Sequence, residues 1–280
     1  MTFTAYNSFV RDLNRGGIKY AAEHSRALGC SGVEFLDFCG TNAPVSKEKY
    51  PAKQIKSVLD ENNLCVDCYS VYANILYEDK AYFDREIRAE IDYAAEIGSK
   101  SFHHTLIPGL RPIDGVTFES VFEEVLERTG RIAEHCASRG INCLYEPQGV
   151  YFNGVEHLSR LIEALRVDHD NVGLCADFGN SVFVDCDPVD VMRALGKYAK
   201  QIHIKDYTIS DVSLGYKGEM RNISGKYIYD VLPGDGDIDL AACINLLKAS
   251  GYDGSISLEY AHDDETMKAS MQYIRNLWEA

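Results

Sequence analysis

Four polar residues in the second half of the chain each close or interrupt a short apolar run. Glu146 follows Cys143-Leu144-Tyr145, and Asp177 follows Leu174-Cys175-Ala176. His203 lies in Gln201-Ile202-His203-Ile204, and Glu259 follows Ser257-Leu258. Three carboxylates and one imidazole form a donor set suited to Mn2+, Mg2+, Co2+ or Zn2+. Gathered in one place, three acids repel one another, and a divalent ion turns that repulsion into affinity. Any one of the four alone would read as a capped or salt-bridged carboxylate at a strand end. Four in register on consecutive runs carry the stronger reading: one divalent metal, Mn2+ first, held by Glu146, Asp177, His203 and Glu259. His103 and His104 end another such run. Neighbours on a strand point to opposite faces, so one faces the mouth and the other the helices. His is the commonest acid/base side chain, and the reading prefers His104 for a catalytic role.

These residues can meet only if the runs are strands of one sheet. Eight β-rich runs are expected, at residues 3–9, 32–38, 65–73, 100–107, 141–147, 172–178, 200–207 and 255–260. Between them lie helical patterns at 18–28, 52–62, 87–97, 118–138, 155–165, 189–195, 240–249 and 265–278, with apolar residues recurring at three- and four-residue spacing. Gly29, Gly98, Gly140 and Gly251 read as helix C-caps, and Asp187-Pro188 and Asp237-Ile238-Asp239 as helix starts. Strict alternation means a parallel sheet with right-handed crossovers. Eight units favour an α/β fold closed as a (β/α)8 barrel, a single domain over residues 1–280. An open doubly wound sheet is the runner-up, but no Gly-x-Gly-x-x-Gly follows the first strand. In a barrel, strand ends converge on one mouth, where active sites sit. A long loop at 208–236 follows the seventh strand on that face and is a candidate lid.

The 280 residues are 46% hydrophobic, enough for one large core. The net charge of −15 argues against nucleic acid or an anionic membrane as partner. Nine scattered cysteines, an odd count, fit reduced thiols rather than a disulfide framework. Cys65-Val66-Asp67-Cys68 opens a strand-like run, which sends its two thiols to opposite faces and weakens a redox or zinc reading. No apolar run is long enough to span a bilayer and no signal peptide is visible, so a cytoplasmic location is expected.

Glu at the end of strand five, Asp at strand six, His203-Ile204-Lys205-Asp206 at strand seven and Leu258-Glu259 at strand eight resemble the sugar isomerase/epimerase superfamily of xylose isomerase-like barrels. That group includes D-tagatose 3-epimerase, inosose dehydratase and keto-glycoside isomerase relatives. Pro233-Gly234-Asp235-Gly236-Asp237-Ile238-Asp239 and Gly32-Val33-Glu34-Phe35 extend the likeness over essentially the whole chain. The resemblance implies that Glu146 and Glu259 are both metal ligands and the acid/base pair. It also implies that Lys205 and Asp206 touch substrate, since His-x-Lys-Asp matches the inosose dehydratase and keto-glycoside branches best. Asn180 stands where the epimerases carry a His; its amide can bond a sugar hydroxyl but is a poor proton donor. Tyr6, Tyr69 and Tyr72 are expected as walls against a sugar ring, and His262 as a neighbour of the metal ligands. The additional His ligands of endonuclease IV are missing.

The implied activity is a metal-dependent isomerase or epimerase acting on a ketose or keto-sugar. Proton transfer between two Glu residues would run through an enediolate. The alternative is a lyase on the same scaffold, of the inosose dehydratase or 3-oxo-glycoside type. A non-catalytic sugar- or metal-binding barrel stands behind both. The expected partner is a small-molecule sugar, and a homo-oligomer is expected from the group's habit.

Overall fold

The computed structural model describes residues 1–39, 49–76, 79–259 and 263–280. In chain order the strands are β1 (Thr2–Ala5), β2 (Gly32–Phe38), β3 (Cys65–Tyr72), β4 (Ser99–His104), β5 (Asn142–Tyr145), β6 (Val172–Asp177), β7 (Ala199–Ile204), β8 (Asp206–Ser210), β9 (Met220–Arg221), β10 (Tyr227–Val231) and β11 (Ser255–Leu258). The described helices are α1 (Asn7–Ala27), α2 (Ala52–Glu61), α3 (Lys80–Glu96), α4 (Phe118–Ser138), α5 (Gly154–Arg166), α6 (Pro188–Leu195), α7 (Leu240–Ala249) and α8 (Asp264–Glu279).

Eight parallel strands close in the order β1-β11-β7-β6-β5-β4-β3-β2. Closure is direct: β1 pairs with β2 through Ala5 and Val33, and with β11 through Thr4 and Ser257. The open-sheet alternative is therefore excluded, and the fold is a (β/α)8 barrel. Its main core lies between the strands and the helix ring, filled by residues such as Phe35, Phe102, Ile202 and Leu247. Inside the barrel Cys68, Leu144 and Cys175 form a small separate apolar cluster.

Two boundaries differ from the sequence expectation. The first run was expected to reach Phe9, but β1 stops at Ala5. The Val10 N–H already bonds the Tyr6 carbonyl at 2.9 Å, so Phe9 packs as a helix residue, edge-on to Phe35. Gly17 has φ of 78° and kinks α1, which is why helical spacing became legible only after it. The segment at 208–236 is no plain loop. It carries an antiparallel sheet in the order β8-β10-β9, with Tyr227 opposite both Ser210 and Arg221. Tyr260 and His262 lie outside the described residues. Among the described residues no helix is long and apolar enough to cross a membrane.

The segment after β11 leads into α8, whose first turn is tied to α1. His24 Nδ1 is 2.5 Å from Asp12 Oδ2 and its Nε2 is 2.9 Å from Asp264 Oδ2. Burial alone would lower the His24 pKa, but the bonds to Asp12 and Asp264 raise it above the ordinary value. The folded state thus binds this proton more tightly than the unfolded chain. The bridge stabilises fully below a pH of about 6.5 and is lost as pH rises through the raised folded value. His24→Gln is expected to cost roughly 1 kcal/mol in urea denaturation at pH 6 and less at pH 9. A cost that does not change with pH would refute the bridge.

Candidate metal centre

Consecutive inward positions of the last strands build the site. His203 sits on β7 with its Nδ1 3.4 Å from Glu146 Oε2, just past β5, and 3.5 Å from Glu259 Oε1, just past β11. Asp177 ends β6, and potential ligand atoms of Asp177, His203 and Glu259 lie within 4.8 Å of one another. Glu146, Asp177 and His203 are buried, and the Glu259 side chain is 16% exposed, which marks the open end. Asp177 Oδ1 accepts the backbone N–H groups of Gly179 and Asn180 at 2.8 and 2.6 Å.

Lys205 reaches the same cluster from the end of β7. Its Nζ lies 2.9 Å from Asp177 Oδ2, pairs with Glu259, and donates to Asn180 Oδ1 at 3.1 Å. The stem passes where residue 179 can have no side chain: a Cβ on Gly179 would stand 2.4 Å from Lys205 Cγ. The Tyr6 ring stacks on His203 at 5.1 Å. Seven of the expected site residues, Glu146, Asp177, His203, Glu259, Lys205, Asn180 and Tyr6, therefore converge.

Three do not. His104 was preferred as the catalytic histidine, but it faces the helix layer. Its ring meets Tyr145 edge-on at 5.2 Å, and its Nδ1 is 3.1 Å from the Thr105 carbonyl. His103 takes the mouth, with Nε2 3.6 Å from Glu146 Oε1 and Nδ1 3.1 Å from Ser70 Oγ. The candidate acid/base role passes to His103. Asp206, expected on substrate, is turned out of the barrel. Its carboxylate accepts the N–H groups of Tyr207, Gly234, Gly236 and Ile238 at 2.8–3.3 Å and so pins the 233–238 turn. A Cβ on Gly236 would lie 2.1 Å from Asp206 Oδ1, so this turn requires glycine. Tyr69 bonds Asp37 and Glu90 instead of lining the mouth, and Tyr72 is 42% exposed beside Phe38.

The structure adds residues that were not expected. Glu34, deeper in the barrel, approaches His203 Nε2 with both oxygens, at 2.9 and 3.1 Å. Ser70, Gln201 and Ser257 bond the same carboxylate. The signal in the sequence was an acid flanked by Val33 and Phe35, one of two acids, with Asp37, in a short and mainly apolar strand.

Charge in this pocket is tightly balanced. Burial raises the Asp177 carboxyl, to about 6; Lys205 pulls the other way, while Glu259 and Glu146 add to the rise. Burial works likewise on Glu146, but His103 and His203 outweigh it and hold this carboxyl below its ordinary range. His103 is held below the ordinary imidazole value by burial, against the pull of Glu146. Burial would lower the Lys205 pKa, yet Asp177 and Glu259 raise it well above normal and keep the ammonium charged. Two buried atoms, Glu146 Oε2 and His203 Nδ1, have no hydrogen-bond partner although they face each other. Orphaned acceptors beside two further carboxylates are what a divalent cation would satisfy. The residues present fit such an ion.

A family model described as xylose isomerase-like TIM barrel matches residues 22–277. The chain belongs to that family. Among proteins of known structure, it is similar to an IolI protein with a bound zinc atom, with TM-score 0.76, 15% identity and coverage of 100% of this chain and 98% of that one. It also resembles D-psicose 3-epimerase with D-tagatose from Clostridium cellulolyticum H10, with TM-score 0.73, 15% identity and full coverage of both chains. A curated relative, inosose dehydratase of Geobacillus thermodenitrificans (strain NG80-2), is 27% identical over 165 residues. That match covers 56% of this chain and 55% of the relative, so the chain spans about half the length of that protein.

Proposed function

We propose that the chain is a divalent-metal-dependent isomerase or epimerase of a ketose or keto-sugar, working by proton transfer through an enediolate. The observation that carries this reading is the pair of carboxylates, Glu146 and Glu259. They come from different strands and stand 3.4 and 3.5 Å from one ring nitrogen, His203 Nδ1. A cation held by Glu146, Asp177, His203 and Glu259, with Mn2+ the first choice, supplies Lewis-acid stabilisation to the oxygen that gains charge when the adjacent proton leaves.

The side chains do the rest. Glu146, kept ionised by His103 and His203, is suited to accept the proton α to the carbonyl. His103, 3.6 Å from Glu146, is placed to hold a hydroxyl or relay that proton. Glu259 passes a proton from the Lys205 ammonium with which it pairs to its own side of the substrate, to the same carbon for epimerisation or to the neighbouring carbon for isomerisation. Solvent then restores Lys205 and takes up the proton left on Glu146. Lys205 and Asn180 form a paired donor and acceptor for a sugar hydroxyl. Tyr6, stacked on His203, shields the ligand nitrogen from bulk water.

A second reading, a lyase, is supported by Lys205 and by the inosose dehydratase relative. The same enediolate can expel a β-leaving group, with the Lys205 ammonium giving its proton to the departing oxygen.

Product mass separates the two. Chelator-stripped protein is reloaded with Mn2+ and incubated in D2O with ketoses, 3-keto-sugars and inososes. The expected result is metal-dependent gain of deuterium with no group lost. Loss of water or an aglycone would favour the lyase, and no exchange despite bound metal would sink both readings.

A further inference from the structure

Glu34 is a fully buried carboxylate that the proposed chemistry does not use. It is held on every side. Ser70 Oγ donates to Oε1 at 2.6 Å, while Ser257 Oγ and Gln201 Nε2 donate to Oε2 at 2.7 and 3.1 Å. The remaining partner is His203 Nε2, within reach of both oxygens. Three donors on two oxygens fix the carboxylate in space and mark it as the acceptor of the pair.

An imidazole nitrogen lying 2.9 Å from a carboxylate oxygen must carry a hydrogen, since two lone pairs at that distance repel. The neutral ring then has its single lone pair on Nδ1. That atom is the orphan that faces Glu146 and Glu259. We infer that Glu34 is a positioning residue: it locks His203 as the Nε2–H tautomer, aims the Nδ1 lone pair at the cation, and raises the donor strength of that nitrogen through its own negative charge. An outer carboxylate acting on a ligand histidine in this way commonly contributes an order of magnitude or more in metal affinity. The polar layer of Ser70, Gln201 and Ser257 thereby belongs to the metal centre, because it holds the group that orients a ligand. The inference rests on the metal reading of the site.

The test separates the two. Full-length wild type and Glu34→Gln are titrated with Zn2+ and with Mn2+ in competition with a chromophoric chelator, and the thermal midpoints of the metal-free proteins are recorded alongside. Gln keeps the shape but removes the charge, and Kd is expected to rise roughly 10- to 100-fold. Glu34→Asp keeps the charge, and is expected to recover part of that loss. In parallel, 15N-histidine-labelled wild type loaded with diamagnetic Zn2+ is examined by NMR, where His203 is expected to show a hydrogen-bonded proton on Nε2 and a metal-shifted Nδ1. This second readout needs no variant, so it decides even if Glu34→Gln does not fold. A proton on Nδ1, or equal Kd for wild type and Glu34→Gln, would overturn the role of Glu34. Wild type that binds neither metal would instead remove the metal reading itself.

Discussion

Glu146→Gln, saturated with Mn2+, is expected to exchange substrate deuterium roughly 10²- to 10⁴-fold more slowly than wild type, the usual contribution of one general base. The amide keeps nearly the same shape and can still offer an oxygen to a cation, but it cannot take a proton. The wild-type carboxyl is held below its ordinary range by His103 and His203, so it stays a base well into acidic solution. Its proton-free form should therefore not limit the rate near neutral pH. Glu259→Gln is expected to lose turnover to a comparable extent, because the neighbouring acid, Asp177, is already tied to Lys205 and to the Gly179 and Asn180 amides. Measuring Kd for Mn2+ in both variants separates a lost ligand from a lost base. Near-wild-type exchange in either metal-saturated variant would rule out the assignment of the pair.

The second large effect falls on Lys205. Its ammonium lies among Asp177, Glu259 and Asn180, with a side chain only 12% exposed. Removing one partner of a buried ion pair leaves an uncompensated charge, at a cost of about 3–5 kcal/mol. Lys205→Met is expected to lose that much in the metal-free state, read by urea denaturation. The direction of the Asp177 shift supports this, because burial and its acidic neighbours already push this carboxyl up to about 6 even with Lys205 present. A divalent cation supplies the missing positive charge. Saturating Mn2+ is thus expected to restore much of the lost stability, whereas activity stays low because the hydroxyl partner is gone. An equal loss with and without metal would show that Lys205 acts by packing alone.

The barrel was legible because each strand is a short apolar run that stops at a polar residue, and each intervening helix has its own period and cap. The four candidate ligands were legible for the same reason, being the residues at which those runs stop or, at His203, are interrupted. What failed was parity. Ser101 and His103 share one face of β4, and Phe102 and His104 the other. Small and polar side chains suit a barrel interior, while a ring as large as Phe102 belongs against the helices, where it is found. That contrast pointed to His103. Asp206 was misread in a similar way. It adjoins Lys205 in the chain, but one step along an extended backbone reverses the side chain. Glu34 was quoted only as part of a resemblance, since its partner His203 lies 169 residues away and nothing local announces the pairing.

The stretch from His203 to Asp206 sends residues alternately inward, to the acids, and outward, to Asp206's collar of backbone amides. Evolution can therefore edit this region's letters but not its length. One inserted or deleted residue would exchange the two faces, placing Ile204 where the imidazole belongs and breaking the collar at the same stroke. The exposed chain between β8 and β9, with Val212, Leu214 and Tyr216 at its surface, bears no such phase constraint. Across descendants of this sequence, gaps should accumulate at 211–219 and be purged at 203–206, so the pattern of indels is itself a record of which backbone is locked in phase.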